Sequence, residues 1–160
     1  MHVRIARIED IPQIVSLGKQ LLDLHAEFDS NYYQMEDSFH ETFSRWVQDQ
    51  IGQPSKLLLI AEKETQQKEK LIVGFISGFL KSLYPWFKVK MVGHIAYMAV
   101  DPHHRKVGIG KLLENEAVIW FRSKKVSYIE LYVEEQNTIG VKAWDSYGFL
   151  PFKKFLRKLI

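Results

Sequence analysis

The stretch that decides the fold is residues 91–111, which read MVGHIAYMAVDPHHRKVGIGK. The part before Asp101 and Pro102 is mostly apolar and predicts a buried strand that those two residues end. A helix is predicted from Gly110, so RKVGIGK lies directly before a helix N-terminus. The N–H groups there lack helical partners and lie at the positive end of the helix dipole. This placement indicates an anion site, and an ordinary glycine turn is the alternative.

Two glycines, Gly108 and Gly110, would let a phosphate approach the backbone of this loop. Positive charge would come from three neighbouring side chains, Arg105, Lys106 and Lys111. The Walker phosphate loop is excluded, because it ends in Gly-Lys followed by Ser or Thr and this chain has Leu112 there. The dinucleotide fingerprint is also excluded, because Leu113 stands where its last glycine is required.

Outward from this stretch, the hydrophobic periodicity predicts a β-α-α-β-β-β-α-β-α-β order within a single domain over residues 1–160. Strands are predicted at residues 3–8, 57–61, 71–80, 91–100, 128–134 and 149–159, and helices at 11–25, 38–51, 110–123 and 137–147. Ser38 and Glu41 form a predicted capping box for the second helix. Gly74 and Gly78 predict bends or bulges within their strand.

Composition excludes several classes of protein. The 160 residues are 46% hydrophobic, enough for the core of one domain, but no apolar run approaches the ~18 residues of a membrane span. The amino terminus lacks the pattern of a secretory signal, so we expect a cytoplasmic protein and no membrane partner. The absence of cysteine excludes disulfides, thiolate nucleophiles and cysteine-based zinc sites.

A net charge of +3 gives the chain a modest attraction for polyanions. Besides the glycine loop, the basic residues cluster near the carboxyl end, at Lys153, Lys154, Arg157 and Lys158. A module that binds nucleic acid or another partner through this second cluster is therefore an alternative function, though not the one we expect. Its binding would weaken steeply with salt.

Residues 105–110 match the [RQ]xxGxG signature of the GCN5-related N-acetyltransferase superfamily, which this chain resembles. A second match follows at the family's spacing, namely Asn137, Gly140, Trp144, Gly148 and Phe149. The order of elements also fits from Val3 onward. The resemblance implies an α/β fold of the α+β type: a central, mostly antiparallel sheet with a splayed parallel pair and about four flanking helices.

The same resemblance implies a binding site for acetyl-coenzyme A (acetyl-CoA). The end of the central strand, at Met98, Ala99 and Val100, would hold the pantetheine arm. The pyrophosphate would lie on the loop formed by Arg105, Lys106, Val107, Gly108, Ile109, Gly110 and Lys111. Asn137 and Gly140 would contact the arm from the last helix, and Ala143 and Trp144 would line it near the sulfur.

For catalysis, the resemblance implies direct attack of an amine, with the N–H group near Met98 stabilising the oxyanion. His94 lies on the same strand, and an ordinary imidazole pKa of about 6.5 suits a base near neutral pH. The family's usual acid is a tyrosine, but Trp144 occupies its position, and an indole N–H does not release a proton. Tyr147 follows three residues later and is expected to face elsewhere. No metal is expected from the adjacent His103 and His104.

The expected acceptor is a primary amine, either a small cationic amine or polyamine, or an amine of a peptide or protein. Acidic residues lie where the family builds acceptor pockets, at Asp23, Glu27, Asp29, Glu36 and Asp37. An alternative within the family fold is a non-catalytic sensor of acyl-coenzyme A, to which the missing tyrosine points. A homodimer is also expected from the resemblance.

Overall fold

Five strands and four α-helices make up the computed structural model, which describes Met1–Ile160. The strands are β1 (His2–Ile5), β2 (Lys56–Glu64), β3 (Lys70–Ser82), β4 (Met91–Val100) and β5 (Ile129–Leu131). The helices are α1 (Ile11–Phe28), α2 (Phe39–Gln48), α3 (Ile109–Ser123) and α4 (Thr138–Ser146). Short 3-10 turns occupy Ile8–Asp10 and Pro102–His104. None of the helices combines the length and apolar character needed to cross a membrane.

The strands form one sheet in the order β1-β2-β3-β4-β5. Neighbours from β1 to β4 are antiparallel, whereas β5 runs parallel to β4. This parallel pairing is confined to three residue pairs, Gly93↔Ile129, His94↔Glu130 and Ile95↔Leu131, after which the two strands separate. The mixed sheet with a short parallel pair and four flanking helices confirms the predicted fold class.

A separate core covers each face of the sheet. On one face, α1 and α2 bury residues such as Ile14 and Val47 against Phe75 of β3. On the other, α3 buries Leu113 and Phe121 against the opposite side of β2, β3 and β4. Helix α4 lies on this second face, because Trp144 packs against the α3 core. The two helical layers therefore leave the carboxyl end of β4 between them.

A bulge at Ala96 reverses which side chains of β4 point to each face. Ile95 pairs with Gly78 and Tyr97 pairs with Ser77, so Ala96 has no partner on β3. Ile95 and Met98 both pack into the α3 core, which strict alternation would not allow. The irregularity next to Gly78 agrees with the bulge predicted from that glycine.

Three predictions of local structure were wrong. Residues 150–160 form no strand, and none of their backbone groups makes a hydrogen bond, because no neighbouring strand of this chain lies beside them. Ser38 precedes α2, but its side chain does not cap the helix. Strands β1 and β5 end earlier than predicted, at Ile5 and Leu131, since tertiary pairing and not local periodicity determines their length.

A buried ionic network joins β1 and β2 to the start of α1. Arg4 contacts Asp10 at 2.7 Å and Glu62 at 2.8 Å, and the three side chains are 15%, 6% and 9% exposed. Burial raises the pKa of Asp10, but hydrogen bonds from Arg4 and the Arg7 N–H outweigh it and hold that pKa below its ordinary value. The hydrogen bond from Arg4 similarly lowers the pKa of Glu62.

We expect Arg4→Met to lower the free energy of unfolding by about 3–5 kcal/mol, because it leaves the buried Asp10 without an ion-pair partner and Glu62 with only the exposed Lys70 at 3.5 Å. The control, Arg45→Met, removes an exposed helical pair with Glu41 and should cost about 0.5 kcal/mol or less. Because both carboxyl pKa values are depressed in the folded state, the network's stabilisation is complete above the ordinary carboxyl pKa of about 4 and disappears as the pH falls. Urea titrations at several pH values measure both effects. Equal losses in the two variants would contradict the assignment.

Candidate active site

The free edge of β4 begins where β5 separates from it. The N–H groups of Tyr97 and Asp101 donate toward β3, to Ser77 Oγ at 3.2 Å and Val73 O at 2.9 Å. Because backbone groups alternate along a strand, those of Met98 and Val100 face the opposite edge, which β5 no longer covers. The bulge at Ala96 thus decides which residues offer hydrogen bonds there. Ala99 was also predicted to hold the pantetheine arm, but its backbone groups face β3 instead.

Residues 105–111 carry a run of backbone N–H groups that donate no hydrogen bond within the protein. The first of them follow the turn after β4, and the last belong to the first turn of α3. Lys106 and Gly108 have φ angles of 63° and 86°. Such left-handed residues within a turn point successive N–H groups to one side and form an anion-binding concavity. The geometry supports the anion site indicated by the sequence.

The charged side chains of this loop differ in how free they are. The Arg105 Nε donates to Val100 O at 3.0 Å, which ties the loop to the end of β4 and leaves the rest of the guanidinium available. The Lys111 ammonium instead lies 2.7 Å from the buried carboxylate of Glu114. The positive potential of the loop therefore comes chiefly from Arg105, Lys106 and the helix terminus.

Helix α4 lies on the α3 side of the sheet, where Trp144 packs with Met98 and Val100 of β4 in the α3 core. Asn137 caps the helix through its Oδ1, which accepts the N–H of Gly140 at 2.9 Å, so its Nδ2 remains a free donor. Gly140 permits this cap, because a Cβ there would lie 2.6 Å from Asn137 Nδ2. Trp144 packs edge-on against Phe149, with 5.3 Å between ring centroids, and Ala143 lies half-buried beside it.

Tyr147 does not face away from the predicted site. Its hydroxyl approaches Gly110 so closely that a Cβ added there would lie 2.6 Å from the oxygen. The Lys111 ammonium lies 5.0 Å from the ring centroid. Burial, followed by the Glu114 carboxylate, raises the pKa of Tyr147. The hydroxyl thus stays protonated at neutral pH, but it lies beside the first turn of α3, not at the fork between β4 and β5.

His94 occupies the opposite face of the sheet from Met98 and Trp144, next to the last residue pair before β4 and β5 separate. Its side chain is 8% exposed and lies between the rings of Phe79 and Tyr132, at 4.9 and 5.2 Å. Its Nδ1 has no hydrogen-bond partner. Burial, followed by the charge of Lys81, lowers the pKa of His94 despite the opposing effect of Glu130. The imidazole is therefore neutral near pH 7.

The predicted site residues thus form two groups that share β4. Met98, Tyr147 and the loop lie together on the α3 side, whereas His94 lies at the fork on the α1 side. Sequence reasoning missed Lys81 and Glu130, the charged neighbours of His94, because no sequence motif marks them. His104 is engaged with Asp101 at 2.9 Å and with Lys63 at 2.5 Å, and His103 is exposed.

Comparison with known proteins defines the class to which this fold and anion loop belong. The model of the acetyltransferase (GNAT) family matches residues 19–149. The chain therefore belongs to the GNAT acetyltransferase family.

Curated relatives match only in part. "Acetyl transferase GW6a" of Oryza sativa subsp. japonica is 24% identical over 106 residues, which cover 63% of this chain and 25% of that protein. A mycothiol acetyltransferase of Thermobispora bispora is 34% identical over 58 residues, covering 36% of this chain and 20% of that protein. The chain thus matches no more than about a quarter of the length of these relatives.

Solved structures share the fold over essentially the whole chain. A tetramutant of the BH1408 protein from Bacillus halodurans has a TM-score of 0.88 at 19% identity, with both chains covered completely. A predicted acetyltransferase from Clostridium acetobutylicum, solved with acetyl-CoA, has a TM-score of 0.77 at 19% identity, covering 99% of this chain and 95% of that one. An aminoglycoside 6'-N-acetyltransferase from Acinetobacter haemolyticus has a TM-score of 0.74 at 15% identity, covering 100% and 99%. At these identities the likeness establishes the fold.

The contact between Tyr147 and Gly110 generates a prediction about stability. Gly110→Ala should lower the free energy of unfolding by about 1–3 kcal/mol, because the new methyl group collides with the Tyr147 hydroxyl. In a Tyr147→Phe background the nearest remaining atom is Met98 Cε at 3.6 Å, so the same change should be close to neutral. A double-mutant cycle measured by urea unfolding tests this coupling. Additive losses would contradict it.

Proposed function

We propose that the protein is an N-acetyltransferase that transfers the acetyl group of acetyl-CoA to a primary amine. The observation that carries the proposal is the run of unpaired N–H groups at residues 105–111, next to the free edge of β4. These donors suit the pyrophosphate of acetyl-CoA. The free edge of β4 suits its extended pantetheine arm, which contains amide groups. Family membership supplies the class of reaction.

The residues present fit acetyl-CoA. The N–H groups of residues 105–111, with Arg105 and Lys106, would hold the pyrophosphate. The backbone groups of Met98 and the N–H of Val100, whose carbonyl already accepts the Arg105 Nε, would pair with the amides of the pantetheine arm. The free Nδ2 of Asn137 would donate to the arm from α4. Trp144 and Ala143 would cover the arm as a half-buried apolar wall. Acetyl-CoA supplies the activated acetyl group as a thioester.

We assign the base to His94, because its lowered pKa keeps the imidazole neutral and ready to accept a proton near pH 7. In the proposed reaction the acceptor nitrogen forms a bond to the acetyl carbon, the carbon–sulfur bond breaks, and the proton lost by the nitrogen passes to His94. The Met98 N–H would stabilise the oxyanion. Water or the acceptor would protonate the leaving thiolate, because Trp144 lacks an acidic proton and Tyr147 lies beside Gly110.

The acceptor is proposed to be an amine, in keeping with the aminoglycoside N-acetyltransferases among the structural neighbours. The acidic residues of the α1–α2 region offer less free charge than their number implies. Asp23 is paired with Lys19 at 2.8 Å, and Asp29 with Arg157 at 2.7 Å. The carboxylates left without an ion pair are Glu27, Glu36 and Asp37, so the proposed acceptor is a small cationic amine or polyamine, or an amine of a peptide or protein.

A thermal-shift experiment tests cofactor binding. Acetyl-CoA at 100 times its dissociation constant should stabilise the protein by about 2.7 kcal/mol and raise the midpoint by roughly 5–10 °C, whereas ATP and NAD should do less. Arg105→Met should weaken acetyl-CoA binding by about tenfold, since a charge-assisted hydrogen bond is lost. Arg122→Met, the same charge change at the exposed far end of α3, is the control.

An equal shift with ATP, or equal affinity in the two arginine variants, would contradict the proposed cofactor site. Tight binding of acetyl-CoA without acetylation of any amine in a broad panel would instead favour a sensor of acyl-coenzyme A. Binding of nucleic acid that survives loss of Arg105 but weakens steeply with salt would favour the alternative function, a binding module at the basic carboxyl-terminal cluster.

We also propose a homodimer, in which residues 150–160 of one copy pair with the outer edge of β5 in the other. The outer edge of β5 is free in this chain, since β5 is the last strand of the sheet. The backbone of residues 150–160 is equally free of hydrogen bonds. Its large apolar side chains are at least 79% exposed: Leu150, Phe152, Phe155, Leu156, Leu159 and Ile160. Both surfaces occur in each copy, so an exchange about a two-fold axis would cover both, in place of the contacts of Arg157 with Asp29 and of Phe155 with Tyr132 within one chain.

Light scattering after size-exclusion chromatography tests the dimer. The wild-type protein should elute as a dimer at micromolar concentration, and Leu156→Glu should shift it to monomer by placing a charge in the interface. Ile119→Glu, which changes an exposed apolar residue on α3, is the control and should stay dimeric. A monomeric wild-type protein would contradict the proposal.

A further inference from the structure

Three neighbouring strands place titratable side chains side by side at the fork. Lys81 lies on β3, His94 on β4 and Glu130 on β5, and His94 is the direct partner of Glu130 in the parallel pair. The Lys81 ammonium lies 2.5 Å from Glu130 Oε1. The His94 Nδ1 lies 3.9 Å from the same oxygen. One carboxylate oxygen thus faces two nitrogen groups and bonds only one of them.

The geometry gives Lys81 the stronger hold on Glu130. A separation of 3.9 Å exceeds hydrogen-bonding distance, which agrees with the unpartnered state of His94 Nδ1. Lys81 and Glu130 are about a third and a quarter exposed, at 33% and 27%, whereas the His94 side chain is nearly buried at 8%. The histidine therefore depends on its neighbours more than on water for the stabilisation of any charge.

We infer that Lys81 holds Glu130 away from His94 and so keeps His94 in the neutral form that accepts a proton. This inference rests on the proposed function for its catalytic meaning, because it assumes that His94 is the base. Lys81 and Glu130 then act as positioning residues. Neither is assigned a contact with the substrate.

The directions of the pKa shifts agree with this competition. The hydrogen bond to Glu130 raises the pKa of Lys81, and the same bond lowers the pKa of Glu130, so both are charged across the neutral range. Around His94, β3 contributes Lys81 and Phe79, β5 contributes Glu130, and Tyr132 directly follows β5. From the carboxyl-terminal segment, Lys153 acts on Glu130, and Phe155 packs on Tyr132 at 6.1 Å.

Two substitutions should move the titration of His94 in opposite directions. Lys81→Met removes the competing cation and frees Glu130 to pair with His94, so the imidazole midpoint should rise by about one pH unit. Glu130→Gln removes the anion but keeps Lys81 nearby, so the midpoint should fall. Lys88→Met removes an exposed lysine of the β3–β4 loop and is the matched control. Proton NMR of the imidazole, assigned with His94→Gln, measures the midpoint in the folded protein.

The pH profile of kcat/KM is measured with acetyl-CoA and an amine that the enzyme acetylates. Its acid limb should move with the NMR midpoint in each variant. An unchanged imidazole midpoint in folded Lys81→Met, or a shift of the same sign in both variants, would overturn the inference. If the NMR midpoints move as expected while the acid limb stays in place, the competition holds and His94 is not the base. The NMR readout needs no turnover, so the two failures are distinguishable.

Discussion

The separation of β4 from β5 is the constraint on which the remainder of the site depends. A strand in the middle of a sheet normally has both edges paired, and β4 does so only as far as Ile95. Beyond that residue one edge keeps β3 and the other is free. Because the bulge at Ala96 precedes the free edge, Met98 and Val100 offer their backbone groups there, and their side chains turn into the α3 core. The unpaired Ala96 therefore determines which backbone groups lie at the free edge of β4 and which side chains pack into the α3 core.

The electrostatics of the molecule follow from which charges are already paired. Lys111 is held by Glu114, and Lys81 is held by Glu130, so two cations that lie near the site are largely neutralised within the fold. The unpaired N–H groups at the start of α3 are not neutralised in this way, because the first N–H groups of a helix have no helical partner and the N-cap residue Gly108 has no side chain to cap them. Backbone dipoles therefore matter more to the anion loop than its lysine content indicates.

Sequence reasoning was most accurate where local pattern and tertiary structure impose the same requirement. The strand at Met91–Val100 and the helix that follows it were predicted within a residue, since a buried apolar run and a glycine-marked helix start are local signals. It was least accurate for residues 150–160. Their apolar and basic residues fall on both sides under strict alternation, and a strand also requires an edge with which to pair. That requirement lies outside the segment itself.

By itself, the sequence determined the order of elements, the glycine loop before α3 and the family signature, because these depend on residue type and spacing along the chain. Only the tertiary structure decided that the Tyr147 hydroxyl lies against Gly110, that His94 and Met98 face opposite sides of β4, and that His94 shares Glu130 with Lys81. The physical reason is the same in each case. Strand register and bulges bring together residues that are distant in sequence, and one shifted residue in β4 reverses the face on which every following side chain lies.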